Sequence, residues 1–200
     1  MQNRLSKNLS LFILALAFLA FVYGTYKAIV IVSKTQVGTR DGVYTSYVSR
    51  SVEIQKRAEA LTQGCESRLC KVQSLLDFVS AIPYATQTFQ RKKPLQTIAD
   101  NFGDCDDKSN LLISLLHSLG IEGYFVLVPK HIFVIVPLDD VRLEKREGLW
   151  VNGKKYYILE GTAKGSSVGF PLHYSLKEID AIVEPFSNKK IVFTRLQFKP

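Results

Sequence analysis

The chain has 200 residues, with 26 Lys and Arg against 18 Asp and Glu for a formal net charge of +8, and 46% of it is hydrophobic. That composition excludes a disordered acidic chain, and three cysteines are too few for a disulfide scaffold. The basic residues are scattered, with small clusters only at 142–146 and 189–190, and no nucleic-acid motif accompanies them. Nucleic acid is therefore not an expected partner, and an anionic lipid surface or plain solvation accounts for the charge.

Arg4 and Lys7 open the chain, and Leu9 to Tyr26 then carries no charge. Such a stretch, about eighteen residues long, is at the lower limit for spanning a bilayer and exceeds a usual signal-peptide core. Lys27 interrupts it before the apolar run Ala28 to Val32. A single-pass anchor over residues 1–32 is expected; a cleaved signal peptide and a buried core helix share the same pattern. Arg4 and Lys7 favour a cytoplasmic N-terminus, while Lys27, Lys34 and Arg40 on the other flank leave the positive-inside rule with little discrimination.

Residues 33–46, polar and containing Gly38 and Gly42, read as a linker, and 47–200 as one domain. Ser51 to Thr62, with Val52, Ile54, Ala58 and Leu61, predicts a helix stopped by Gly64. Ser67 to Ala81, with Leu69, Val72, Leu75, Leu76 and Val79, predicts a second one closed by Pro83. Cys65 and Cys70 suit an oxidising compartment as a pair. Helical residues five apart are roughly 8 Å apart, too far for a bridge, but Cys65 follows Gly64 outside the helix. A disulfide and two unrelated buried thiols both remain open.

The densest chemistry lies in Gly103-Asp104-Cys105-Asp106-Asp107-Lys108-Ser109. Leu111, Leu112, Leu115, Leu116 and Leu119 form a helical stripe ending at Gly120, with Asp104 as N-cap and Asp107 three residues on. Cys105 is thus expected at the first helical position, where the helix dipole favours thiolate. A small apolar residue packed at a helix end fits that position equally well. Downstream, Tyr124 to Val128 and His131 to Val136 read as strands. Val151 to Glu160 reads as a hairpin turned at Asn152-Gly153, with an acid ending its second strand. Ser175 to Glu184 reads as a short helix and Lys189 to Phe198 as a strand. A helix-borne Cys105, a strand-borne His131 and the carboxylate Glu160 make a workable thiol triad.

These residues resemble the core motif of the transglutaminase-like superfamily, relatives of the papain-like cysteine proteases. The lead-in Arg91 to Asp100, the segment His131 to Val134 with Phe133 as the aromatic two residues after the His, and Tyr156 to Thr162 all fit in order. Glu160 stands where Asp is more usual, and Gly161 replaces the commoner proline or threonine. The resemblance implies an α+β papain/transglutaminase-like core, in which the helix bearing the Cys packs on an antiparallel sheet, and the N-terminal apolar stretch sets one transmembrane helix before it. It also implies a bacterial cysteine enzyme, tethered here by the expected anchor, acting on protein or peptide amide bonds, as a peptidase or amidase in preference to a cross-linking transglutaminase. The expected location is the inner membrane, with the soluble domain in the periplasm.

The other histidines are excluded or demoted by geometry. His117, twelve residues along the same helix, lies roughly 18 Å from Cys105. His173 sits in the loop Gly165 to Ser175. No cofactor is required, although Asp104, Asp106 and Asp107 suggest calcium, which some relatives of the fold use. The competing reading is a silent transglutaminase-like module that scaffolds a membrane complex.

Overall fold

The computed structural model describes residues 2–86 and 92–200. The chain divides into two compact units, Met1–Gln36 and Val37–Pro200. The first is helix α1, Gln2–Thr35. Its segment Asn8–Ile29 has a mean hydropathy of 2.1 and is long and apolar enough to cross a membrane. The helix continues to Thr35 because neither Gly nor Pro interrupts the sequence after Lys27.

The second unit begins ten residues earlier than the expected domain start, which corrects the reading of 33–46 as an irregular linker. Strands β1, Val37–Thr39, and β2, Gly42–Tyr44, pair antiparallel as a hairpin. Two apolar residues inside the polar stretch, Val37 and Tyr44, are buried and hold it to the core, and Gly42 takes the turn at φ +136°.

Four helices follow: α2 (Val52–Leu61), α3 (Arg68–Ala81), α4 (Pro94–Asp100) and α5 (Cys105–Ser118). Ser51 and Ser67 cap α2 and α3 through their side chains, and Pro94 opens α4, where a missing N–H costs nothing. Cys65 and Cys70 form a disulfide across the start of α3.

The sheet comprises β3 (Tyr124–Val128), β4 (His131–Val136), β5 (Gly148–Val151), β6 (Lys154–Leu159), β7 (Ala181–Glu184), β8 (Lys189–Lys190) and β9 (Leu196–Lys199). Its order is β8-β7-β3-β4-β6-β5-β9, with every pairing antiparallel. Asn152 and Gly153 turn the β5–β6 hairpin with both φ positive, at 50° and 87°.

Two expected elements differ. Ser175 caps only a short 3-10 turn, Leu176–Glu178, and the run Ala181-Ile182-Val183 joins the sheet beside β3, because β-branched residues suit a buried strand better than a helix. The strand expected over 189–198 is split between opposite edges of the sheet. Asn152 holds the crossing segment, donating to the Val192 carbonyl at 3.0 Å and accepting from Thr194 N–H at 2.9 Å.

Strand alternation sorts the apolar residues into two cores. Phe125, Leu127, Ile132, Val134, Tyr157 and Leu159 face the helices. Val126, Phe133, Ile135, Tyr156 and Ile158 face the other way, under Phe170, Leu172, Tyr174 and the C-terminal strand.

Candidate active site

Helix α5 starts at Cys105 because Asp104 and Asp107 cap each other. Asp104 Oδ1 accepts the Asp107 N–H at 3.0 Å, and Asp107 Oδ2 accepts the Asp104 N–H at 3.4 Å. The other oxygen of Asp107 accepts the Lys92 N–H at 2.9 Å. The approach is tight: a Cβ on Gly103 would lie 2.9 Å from the Asp107 Cβ and 3.1 Å from the Thr97 Cγ2. Backbone bonds from Gly103 to Pro83 and from Ala85 to Gly103, each 3.2 Å, tie this point to the chain after α3.

Two lysines that a sequence pattern places in solvent are 1% exposed and hold the same region. Lys108 Nζ donates to the carbonyls of Ile82 at 2.6 Å and Ser80 at 3.4 Å, where α3 ends with unpaired acceptors. Lys92 Nζ pairs with Asp100 at 2.9 Å, donates to the Phe102 carbonyl and sits over the Phe102 ring. Of the expected lead-in, Arg91 lies outside the described residues.

His131 is the first residue of β4, delivered by a turn in which Lys130 has φ 57°. It shares strand parity with Phe133 and Ile135, as Glu160 does with Tyr156 and Ile158 one strand away, so both project from the same face. His131 Nε2 lies 2.9 Å from Glu160 Oε2. Glu160 Oε1 accepts from the Thr162 N–H at 2.9 Å and from its hydroxyl at 2.5 Å. Burial alone raises the Glu160 pKa, but the bonds and charge of His131 and the bonds from Thr162 outweigh it and hold the carboxyl below its usual value. Tyr174, from the loop before the 3-10 turn, stacks within 18° of the His131 ring plane at 6.0 Å, and lies 6.4 Å from Phe133. Sequence reasoning missed Tyr174, since nothing local marks it.

Cys105 and His131 line one cavity of about 250 Å³, together with Asp41, Tyr44, Asp106 and Lys130. The thiol is not the primed thiolate its helix position suggests. Burial against the core, then the charges of Asp106 and Asp104, push its pKa up to about 12, although the backbone N–H groups of Ile132 and Asp106 pull it down. The acids that start the helix cancel the advantage of the helix N-terminus.

His117 meets the Phe186 ring at a tilt of 41° at the far end of α5, and His173 is an exposed loop residue beside Phe170. Neither lines the cavity with Cys105. Asp104 and Asp107 are engaged as caps, and no three acidic, His or Cys groups converge among the described residues.

The model of the Transglutaminase-like superfamily matches residues 55–131, a little over a third of the chain, from α2 through Cys105 to His131. That stretch of the chain is similar to this superfamily. Glu160 lies beyond the matched stretch. Among solved structures, a candidate cysteine protease from Cytophaga hutchinsonii is 19% identical over 77% of this chain and 51% of its own, with a TM-score of 0.48. A candidate protease from Parabacteroides distasonis is 15% identical over 72% of this chain and 28% of its own, with a TM-score of 0.47. Legionella pneumophila LapG is 14% identical over 62% of this chain and 78% of its own, with a TM-score of 0.39, and one LapG structure is calcium-bound. The chain thus spans about half the length of the first of these proteins and about a quarter of the second. No curated protein matches it.

Proposed function

We propose that this protein is a cysteine-dependent acyl-transfer enzyme of the membrane, cleaving amide bonds in peptide or protein substrates. One observation carries the reading: Cys105 and His131 open into a single cavity while Glu160 holds Nε2 of the imidazole. With Nε2 engaged by the carboxylate, Nδ1 is left as the base. His131 takes the thiol proton as Cys105 Sγ attacks the carbonyl carbon, and the tetrahedral oxyanion forms near the Cys105 backbone N–H. The C–N bond then breaks, the amine leaves with the proton from His131, and an acyl thioester remains. Water attacks that thioester with His131 again as base, releasing the acid and restoring the thiol. No step is assigned to calcium.

The apolar segment of α1 supports a single-pass anchor, and the Cys65–Cys70 disulfide supports an oxidising compartment, hence the inner membrane with a periplasmic domain. Reporter fusions after residue 36 and after Pro200 should both be active only outside the cytoplasm.

One observation favours the silent-module alternative, namely the thiol held neutral at rest. Acylation by p-nitrophenyl acetate, followed by nitrophenolate release and intact mass, separates the two. An enzyme gives one acetyl group on Cys105, formed about 10²–10⁴-fold more slowly in His131→Ala. Equal acetylation in both proteins would leave His131 without a role and support the scaffold.

A further inference from the structure

The β1–β2 hairpin lies outside the segment that matches the superfamily, yet it forms one wall of the cavity that holds the thiol. Thr39, Asp41, Val43 and Tyr44 line the cavity from the hairpin, together with Cys105 and His131. Several contacts fasten it there. Arg40 Nε pairs with Asp180 Oδ1 at 2.9 Å, its backbone N–H donates to the same carboxylate at 3.2 Å, and its guanidinium donates to the Lys177 carbonyl at 2.9 Å. Asp41 Oδ2 accepts the Lys130 N–H at 2.6 Å, and Lys190 Nζ donates to the Gly38 carbonyl at 2.7 Å. Tyr44 meets Phe125 edge to face at 5.6 Å.

The bond from Lys130 to Asp41 is placed to matter for access. Lys130 is the tip of the turn that delivers His131, so one carboxylate joins the hairpin to the catalytic turn across the cavity. The cleft is open to solvent on one side, and its volume, about 250 Å³, is smaller than the roughly 300–1,000 Å³ of pockets that take drug-sized ligands. It has room for one side chain beside the carbonyl that Cys105 attacks.

We propose that the β1–β2 hairpin is the specificity wall of this site, admitting to Cys105 an acyl-donating residue with a small side chain and shutting out bulky ones. The assignment rests on Cys105 being the nucleophile, but the wall can be tested without turnover. Arg40 and Asp41 are the latches; the hairpin's buried residues are its footing.

The experiment uses the full chain in detergent micelles, where the disulfide leaves Cys105 as the reactive thiol. Alkylation rates by iodoacetamide and by the bulky iodoacetamidofluorescein are compared as a ratio, normalised to glutathione. In the wild type the bulky reagent is expected to be disfavoured by about tenfold or more. Arg40→Ala and Asp41→Ala should each shift the ratio back toward glutathione by about tenfold, the change in open population that follows loss of one charge-assisted hydrogen bond. Arg40 is mostly exposed, so its variant keeps the fold if Asp41→Ala does not. A wild-type ratio equal to that of glutathione, or a ratio unmoved in the folded variants, overturns the proposal. So does a thiol inert to both reagents with the latches removed. A protein that discriminates by size but is never acetylated would retain the wall and lose the enzyme.

Discussion

Glu160 uses both carboxylate oxygens, Oε2 at 2.9 Å from His131 Nε2 and Oε1 on the N–H and hydroxyl of Thr162. Thr162 is two residues along the same chain, so the carboxylate is oriented by its own turn before it meets the imidazole. The pairing fixes which ring nitrogen carries the proton and leaves Nδ1 as the acceptor for the thiol proton.

Glu160→Gln should therefore reduce kcat/KM by about 10²–10⁴-fold, because a neutral amide no longer stabilises the imidazolium that forms on attack. Thr162→Val keeps the charge and loosens only its orientation, so the loss should be far smaller. Equal losses in the two variants would mean that position, not charge, is what Glu160 supplies. Steady-state rates on a peptide amide, with thermal melts to confirm folding, distinguish these outcomes.

Tyr174 stacks on His131 and lines a small crevice with Glu160 and Phe133, on the side of the imidazole that would otherwise meet water. The Nε2–H proton shared with Glu160 should then exchange slowly and give a visible downfield proton resonance. Tyr174→Phe should keep that resonance, and Tyr174→Ala should lose it to exchange while the amide spectrum stays folded. Persistence of the signal in the alanine variant would show that the ring is not the shield.

The disulfide closes a short loop, and the chain-entropy account gives such a loop about 2 kcal/mol. Replacing Cys65 and Cys70 together by serine should lower the melting temperature by about 4–8 °C for a domain of this size. The loop lies at the start of α3, away from the thiol cavity, so acetylation of Cys105 below the transition should not change. A calorimetric scan with and without reductant measures both the wild-type and variant behaviour. An unchanged melting temperature would show that the caps of α3 hold the loop without the bridge.

The parts of this site that the sequence discloses are those with a local cause. The capping pair Asp104 and Asp107, the Leu stripe and Gly120 define α5, and the parity of His131 with Phe133 and of Glu160 with Ile158 defines a shared face. What local pattern does not disclose depends on the register between distant segments. Lys108 and Lys92 read as surface residues until the end of α3 and the Phe102 ring are brought to them. Asn110 and Ser114 look like gaps in an apolar stripe, yet they accept the Tyr47 and Ser49 N–H groups at 2.7 and 2.9 Å and so seat the segment leading from the hairpin. The hairpin itself was hidden because two buried residues in a polar run give too weak a period to read. The thiol's pKa answers to the burial of the sulfur and to the capping acids beside it as well as to the helix dipole.

The raised pKa of Cys105 has a consequence for stability at high pH. In the unfolded chain the thiol ionises near about 8.5, whereas in the fold burial and the neighbouring acids hold it neutral to about 12. The folded state therefore binds the proton more tightly, and the stability linked to it is fully present below the unfolded value. As pH rises from there toward the folded value, the unfolded chain loses a proton that the native chain keeps, and stability falls. Cys105→Ala removes the titrating group and should flatten this part of the profile while leaving the acid side unchanged. Urea midpoints of the two proteins between neutral pH and pH 11 measure the difference, and parallel profiles would mean that the native thiol ionises as readily as an exposed one.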